Sequence, residues 1–225
     1  MGLIFPLVLI TKVVAMEFDK RKPEKNNSHS FWSKAAFPSN PSFIPEESYQ
    51  RTRYSDKTTG YQTLGLKAVV HQSNVLTLFD RLLGHLRTKA DKCNVFIDYK
   101  NEEGRVVKTA SRHNIRLAVV QAALQNQSNQ RALLEDGFHM FSVAVPENGI
   151  EVMLDDDKGI CLYYYDDRDL LPLELILRRN GVVPRKAIQG LCSVTHKHVS
   201  TDETRDLLDL FARSVGFYGD DSKNC

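Results

Sequence analysis

Catalytic signatures are what this sequence lacks most plainly. Its 225 residues contain no GxGxxG or GKS/T phosphate cradle, no GxSxG elbow and no HExxH helix, so nucleotide-binding, serine-hydrolase and zinc-protease readings lose the features they need. Cysteine is sparse as well. Cys93, Cys161, Cys192 and Cys225 stand far apart without CxxC spacing, which argues against a disulfide framework and a zinc module and for reduced, packing thiols. Nor is there an excess of one charge: 30 lysines and arginines against 28 acidic residues leave a formal +2, too little to make nucleic acid the default partner. What is present is an ordinary globular balance, 42% hydrophobic and 26% charged, in a chain of a length that suits one main domain with a tail.

The first fifteen residues, MGLIFPLVLITKVVA, form the most unusual stretch. Leu3 to Ile10 falls well short of the roughly 20 apolar residues that span a bilayer. Three readings stay open: a signal-like segment cleaved before Met16, an extension ahead of a start at Met16, or a packed or membrane-touching segment. No basic residue precedes the run and Pro6 interrupts it, against a signal; Pro6 also occupies the place where a myristoylation motif wants Ser or Thr. Sequons at Asn26 and Asn126 would suit a secreted, glycosylated interaction protein, although such triplets arise often by chance.

Residues 16–63 are polar and punctuated by Pro23, Pro38, Pro41 and Pro45, and they read as a flexible arm that buries too little to offset its ordering entropy. Its aromatics, Phe31, Trp32, Phe37, Phe43, Tyr49 and Tyr54, are either recognition elements or anchors that dock on the domain behind. The arm holds one basic cluster, Lys20, Arg21, Lys22 and Lys25; a second, Arg178, Arg179, Arg185 and Lys186, straddles a helix end. Near an anionic leaflet each arm charge contributes on the order of 1 kcal/mol, so both clusters are candidate membrane contacts. The alternative for each is a solvated charged face.

Folded structure is expected from 64 to 218, with a polar tail at 219–225. Leu66, Ala68 and Val70 alternate as in a half-buried strand, and Val75, Leu76, Phe79, Leu82, Leu83 and Leu86 recur at helical spacing behind a Ser73 or Asn74 cap. NVFIDY and GRVVKTA predict a hairpin around Lys100 to Gly104, and Asn114 is read as the cap of a second helix. FHMFSVAV, GIEVML and GICLYYY supply three more strands, the last two joined by the turn Asp155 to Gly159. LLPLELILRR makes a further helix, and Ser200 with Glu203 is read as a capping box for the final one. The fold class is therefore α+β: a mixed, mainly antiparallel sheet flanked by helices, preceded by a disordered N-terminal arm.

Few residues offer site chemistry. Cys192, His196 and His198 have the types and spacing of a soft-metal site, against a solvated loop. Asp155, Asp156, Asp157, Asp166, Asp167 and Asp169 could converge on a hard cation in an enzyme, but a turn of three aspartates is more commonly a solvated strand end that blocks edge pairing. Tyr61 to Leu64, YQTL, is a short extended motif whose two apolar side chains a sorting or budding factor could grip, unless Leu64 simply begins a strand. No cofactor is implied, and a non-enzymatic role is expected.

The order of parts resembles a family. The basic, proline-punctuated arm, the strand LGLKAVV, the Ser73-Asn74 junction and the helix VLTLFDRLLGHL are similar to the entry into the globular domain of rhabdovirus-type matrix proteins, and GICLYYYDDRDLL and SVGFYG are loosely similar to its C-terminal half. The resemblance implies a structural component of the virion that self-associates at the inner surface of the host membrane, touches anionic lipid through the basic arm and condenses the nucleocapsid. Two departures stand out. The arm has no PPxY or PTAP budding motif, its nearest elements being PEESY, which ends at Tyr49, and YQTL; and the apolar prefix is foreign to the family unless Met16 is the start.

Overall fold

In strand residues 92–100 the alternation of Cys93, Val95 and Ile97 with Asn94, Phe96 and Asp98 fixes which face meets the core: the first three are buried and the second three are half-exposed. The same alternation recurs in residues 150–154. A computed structural model describes residues 31–40, 42–55, 62–164, 166, 168 and 170–217. The candidates Lys20, Arg21, Lys22, Lys25, Asn26, Tyr61, Asp167 and Asp169, with Cys225, the prefix 1–15 and the tail 219–225, lie outside the described residues.

The strands are β1 (Ala36–Pro38), β2 (Ser48–Ser55), β3 (Gln62–Val69), β4 (Lys92–Lys100), β5 (Val106–Arg116), β6 (His139–Val145), β7 (Ile150–Leu154), β8 (Ile160–Tyr164), β9 (Val183–Pro184) and β10 (His196–His198). Between them run the helices α1 (Gln72–Arg87), α2 (Leu117–Leu124), α3 (Gln127–Glu135), α4 (Leu170–Arg179) and α5 (Asp202–Ser214). An eight-stranded sheet has the order β5-β4-β6-β7-β8-β3-β2-β9, antiparallel except for the β2–β9 pair. β1 and β10 form a separate antiparallel ribbon. The chain is thus the expected α+β fold with a mainly antiparallel sheet. Among the described residues no helix is long and apolar enough to cross a membrane.

One face of the sheet packs on the helices. Val75, Leu78, Phe79, Leu82, Leu83 and Leu86 of α1 all point into that core, where Phe79 meets Phe141 and Phe141 meets Phe211 of α5. A smaller cluster of Phe31, Trp32, Ala36, Val69 and Leu191 covers part of the opposite face.

Three expectations need correction, and one open alternative is decided. The sheet begins before Leu64, because β2 pairs along its whole length with β3, and Tyr49 is 1% exposed in the main core. Of the two readings of the aromatics in this segment, docking holds for Phe31 and Trp32, which are buried, with Trp32 Nε1 donating to the Phe43 carbonyl. A few well-placed aromatics can anchor a segment whose average composition is that of a loop. Asn114 does not cap a helix; it holds a left-handed conformation (φ 58°) inside β5, and α2 starts after Arg116. The final helix is capped one residue later than expected, by Thr201 and Thr204, while Ser200 hydrogen-bonds Asp136 instead.

Candidate functional site

The structure sorts the candidate basic residues by whether a carboxylate or phenol already holds them. Arg178 donates from Nε to the Tyr49 hydroxyl at 2.8 Å and lies 3.8 Å from Glu174, which Arg51 also grips. Arg185 makes a two-pronged pair with Glu46 at 2.7 and 2.8 Å. Arg178 thus ties α4 to β2, and Arg185 ties the chain after β9 to the segment ahead of β2, so two of the four exposed charges of the second cluster already have partners. Arg179 and Lys186 are exposed beside them. Tyr49, a candidate partner contact, is a core residue, and Leu64 is a half-buried member of β3 paired with Tyr164.

An open basic surface lies elsewhere, on β5. This eleven-residue strand forms one edge of the sheet and is exposed at every position except the half-buried Ala110 and Ile115. It carries Lys108, Arg112 and Arg116 with no acidic residue, and Lys92 stands opposite Arg116 in register. Arg112 shares a shallow hollow of about 260 Å³ with Arg213 from the end of α5. Arg116 approaches Asp91 at 3.5 Å and Lys108 lies over the Tyr99 ring, but Arg112, Arg213 and Lys92 enter no ion pair among the described residues. Val106 and Val107 are exposed at the start of the strand, and Arg105, Glu102 and Glu103 occupy the adjoining turn. Spacing of basic residues by four along a strand was visible in the sequence; without the sheet order nothing marked that strand as an edge.

The acidic turn between β7 and β8 is the most internally connected feature. Lys158 takes a left-handed conformation (φ 62°), and Asp155 Oδ1 accepts the Gly159 amide at 2.7 Å. The three aspartates then diverge to different partners: Asp155 to Lys67 at 3.4 Å, Asp156 to Lys100 at 2.7 Å, and Asp157 to His196 and His198 at 3.3 and 3.4 Å. They are neither a solvated strand end nor a shared carboxylate cage, and Asp166 is paired with Arg168. Lys158 is buried. Burial lowers its pKa to about 8 against the opposing pull of the surrounding carboxylates.

His196 and His198 do meet, with their Nε2 atoms 3.0 Å apart, but Cys192 does not join them; its sulfur lies 3.9 Å from Lys67 Nζ. Asp157 takes the place the thiol was expected to fill. Burial would raise the pKa of Asp157, yet the two imidazoles that face it, His198 foremost, hold it low, and the nearby carboxylate in turn raises that of His198. A groove of about 520 Å³ opens beside the two rings, lined also by Lys100, Phe138, Asp156 and Arg205. His71 Nδ1 lies 2.7 Å from the Ser73 hydroxyl and also accepts the Ser73 amide as the cap of α1. Asn126 caps α3 in the same manner, accepting the amides of Ser128 and Asn129.

No family model, curated protein or solved structure matches the chain.

Proposed function

We propose that this chain is a non-enzymatic assembly protein of the viral-matrix type that docks peripherally on an anionic membrane. The observation that carries the docking is the exposed basic edge strand β5, continued by Arg213. Such a ribbon suits a surface of lipid phosphates and carboxylates, where attraction grows with each nearby cation. It is poorly suited to pairing with another β5, which would press rows of like charge together, and basic edge residues are a common device against that pairing. The two exposed valines at the start of the strand favour a lipid interface over RNA, since β5 bears no tyrosine, phenylalanine or tryptophan on which bases could stack. Self-association, a nucleocapsid partner, and a place in the virion and at the inner face of the host membrane belong to the same reading and rest on the matrix-protein resemblance.

Co-sedimentation with vesicles containing phosphatidylserine tests it. The triple variant Lys108→Gln, Arg112→Gln, Arg213→Gln should lose most of its binding at low salt. The double variant Arg178→Gln, Arg185→Gln should keep it, because those arginines are spent on internal contacts. Equal binding by both would remove β5 as the membrane surface, and retention by single-stranded RNA but not by vesicles would replace the membrane as partner.

A further inference from the structure

The histidine pair poses a hydrogen-bonding problem that ordinary packing does not solve. His196 Nδ1 lies 2.9 Å from the Val194 carbonyl oxygen, and His198 Nδ1 lies 2.8 Å from the Gly137 carbonyl oxygen. A carbonyl only accepts, so both Nδ1 atoms must carry the proton and donate it. In neutral imidazoles both Nε2 atoms are then bare lone pairs. They face each other at 3.0 Å, and both face Asp157 Oδ1, at 3.3 and 3.4 Å. Three acceptors converge on one point with no donor among them.

We infer that Asp157, His196 and His198 form a binding site for a divalent transition-metal ion of the zinc class. Ligand–metal bonds of about 2.0 Å in a tetrahedral site place the donors about 3.3 Å apart, and the three edges here are 3.0, 3.3 and 3.4 Å. Two imidazoles and one carboxylate are the donor set that such an ion takes. The second shell is in place too: each ring donates its other nitrogen to a backbone carbonyl, which fixes the tautomer that leaves Nε2 free to coordinate.

The groove that exposes both rings leaves the ion's fourth position to water or another small ligand. The ion would tie the β1–β10 ribbon to the β7–β8 turn, two parts that the sheet hydrogen bonds do not join. A structural clasp of this kind is independent of membrane docking, and β5 takes no part in it.

The test begins with protein stripped by a chelator and titrated with Zn²⁺ or Co²⁺. Bound metal is counted by atomic emission, coordination is read from the visible Co²⁺ spectrum, and the thermal midpoint follows with and without Zn²⁺. Wild type should take up a single ion, show tetrahedral Co²⁺ bands and melt higher with Zn²⁺, because an ion that binds only the folded state stabilises it. Cys192→Ser and His113→Gln should behave as wild type. His196→Gln and, separately, Asp157→Asn should bind at least about tenfold more weakly and show no Zn²⁺-dependent rise in midpoint; circular dichroism identifies either variant if it fails to fold, and the other then decides. Failure of the wild type to take up either ion overturns the inference and leaves the two rings sharing a proton beside Asp157. Unchanged affinity in a folded His196→Gln variant overturns it equally.

Discussion

At Gly137 the protein has no room for a single added carbon: a methyl group there would lie 2.4 Å from the Ala35 carbonyl oxygen and 2.9 Å from both the nitrogen and the oxygen of Val199. Three backbone segments meet at this point, with the Gly137 amide donating to Val199 and the Val199 amide donating to Ala35. The carbonyl that His198 uses belongs to the same glycine. Gly137→Ala should therefore cost about 1–3 kcal/mol, the usual range for forced overpacking, seen as a lower urea midpoint; an unchanged midpoint would mean the segments part freely. Two residues on, His139 is fully buried and donates from Nδ1 to Asp136 at 3.2 Å, while the Phe138 amide and the Ser200 hydroxyl donate to the same carboxylate. Burial, and then the charge of Lys158 from the neighbouring turn, lower the His139 pKa to about 4, although Asp136 and Asp156 pull the other way. Burial would raise the Asp136 pKa, but those donors hold it well below the ordinary carboxylate range. Both depressed values have the same consequence. The unfolded chain binds protons that the folded one refuses, so the His139 contribution is complete above about pH 6.5 and is lost as pH falls toward 4, with a slope of at most about 1.4 kcal/mol per unit. Asp136 adds a further loss below the ordinary carboxylate pKa. In an NMR titration the His139 ring resonance should stay still between about pH 7 and 5; a midpoint near 6.5, the ordinary histidine value, would show the ring to be solvated.

Among the elements, β2 decides where the domain begins. It fills the place between β3 and β9, and Tyr49 sits in the main core with its hydroxyl accepting from Arg178. A chain starting at Leu64 should consequently fail to give a cooperative urea transition, whereas one starting at Phe31 should keep it. If Tyr49 were a surface recognition residue its removal would cost the fold little. As a core residue, Tyr49→Ala should cost about 3–5 kcal/mol and Tyr49→Phe only about 1, the first through a cavity and the second through one lost hydrogen bond. The hairpins and α1 were legible in the sequence because their signals are local: a turn of polar residues between alternating runs, or leucines every three and four positions. β2 was not, since its pairing partner and the side chains that bury Tyr49 come from elsewhere in the chain. Asn114 misled for a related reason. An asparagine before an apolar run looks like a cap, and only the register against β4 shows it as a left-handed residue within a strand. The cluster of Asp157 with His196 and His198 was half legible, the histidines by their spacing; the carboxylate is supplied by a turn far away in sequence, while the nearby Cys192 turns toward Lys67.

For the molecule as a whole, net charge is a poor guide to where a partner will bind. The formal +2 averages a surface on which Arg185 with Glu46, Arg51 with Glu174 and Arg131 with Glu135 and Glu203 are mutually neutralised. Arg112, Arg213 and Lys92 are not, and Lys108 and Arg116 stand on the same edge. Membrane affinity should accordingly have two separable parts. The cationic part is carried by exposed side chains and is screened over about 8 Å at physiological ionic strength and over less above it, so it should fade as salt rises. The apolar part, from Val106 and Val107 entering the interface beside Arg105 and Lys108, should persist, because burial of apolar surface does not depend on screening. Vesicle sedimentation across a salt series distinguishes them. Lys108→Gln with Arg112→Gln should lower binding chiefly at low salt and flatten the salt dependence, while Val107→Ser should leave the slope intact and lower the residual binding at high salt. Salt curves that coincide for wild type and both variants would mean that the sheet edge faces water when the protein is on the membrane, and that another surface makes the contact.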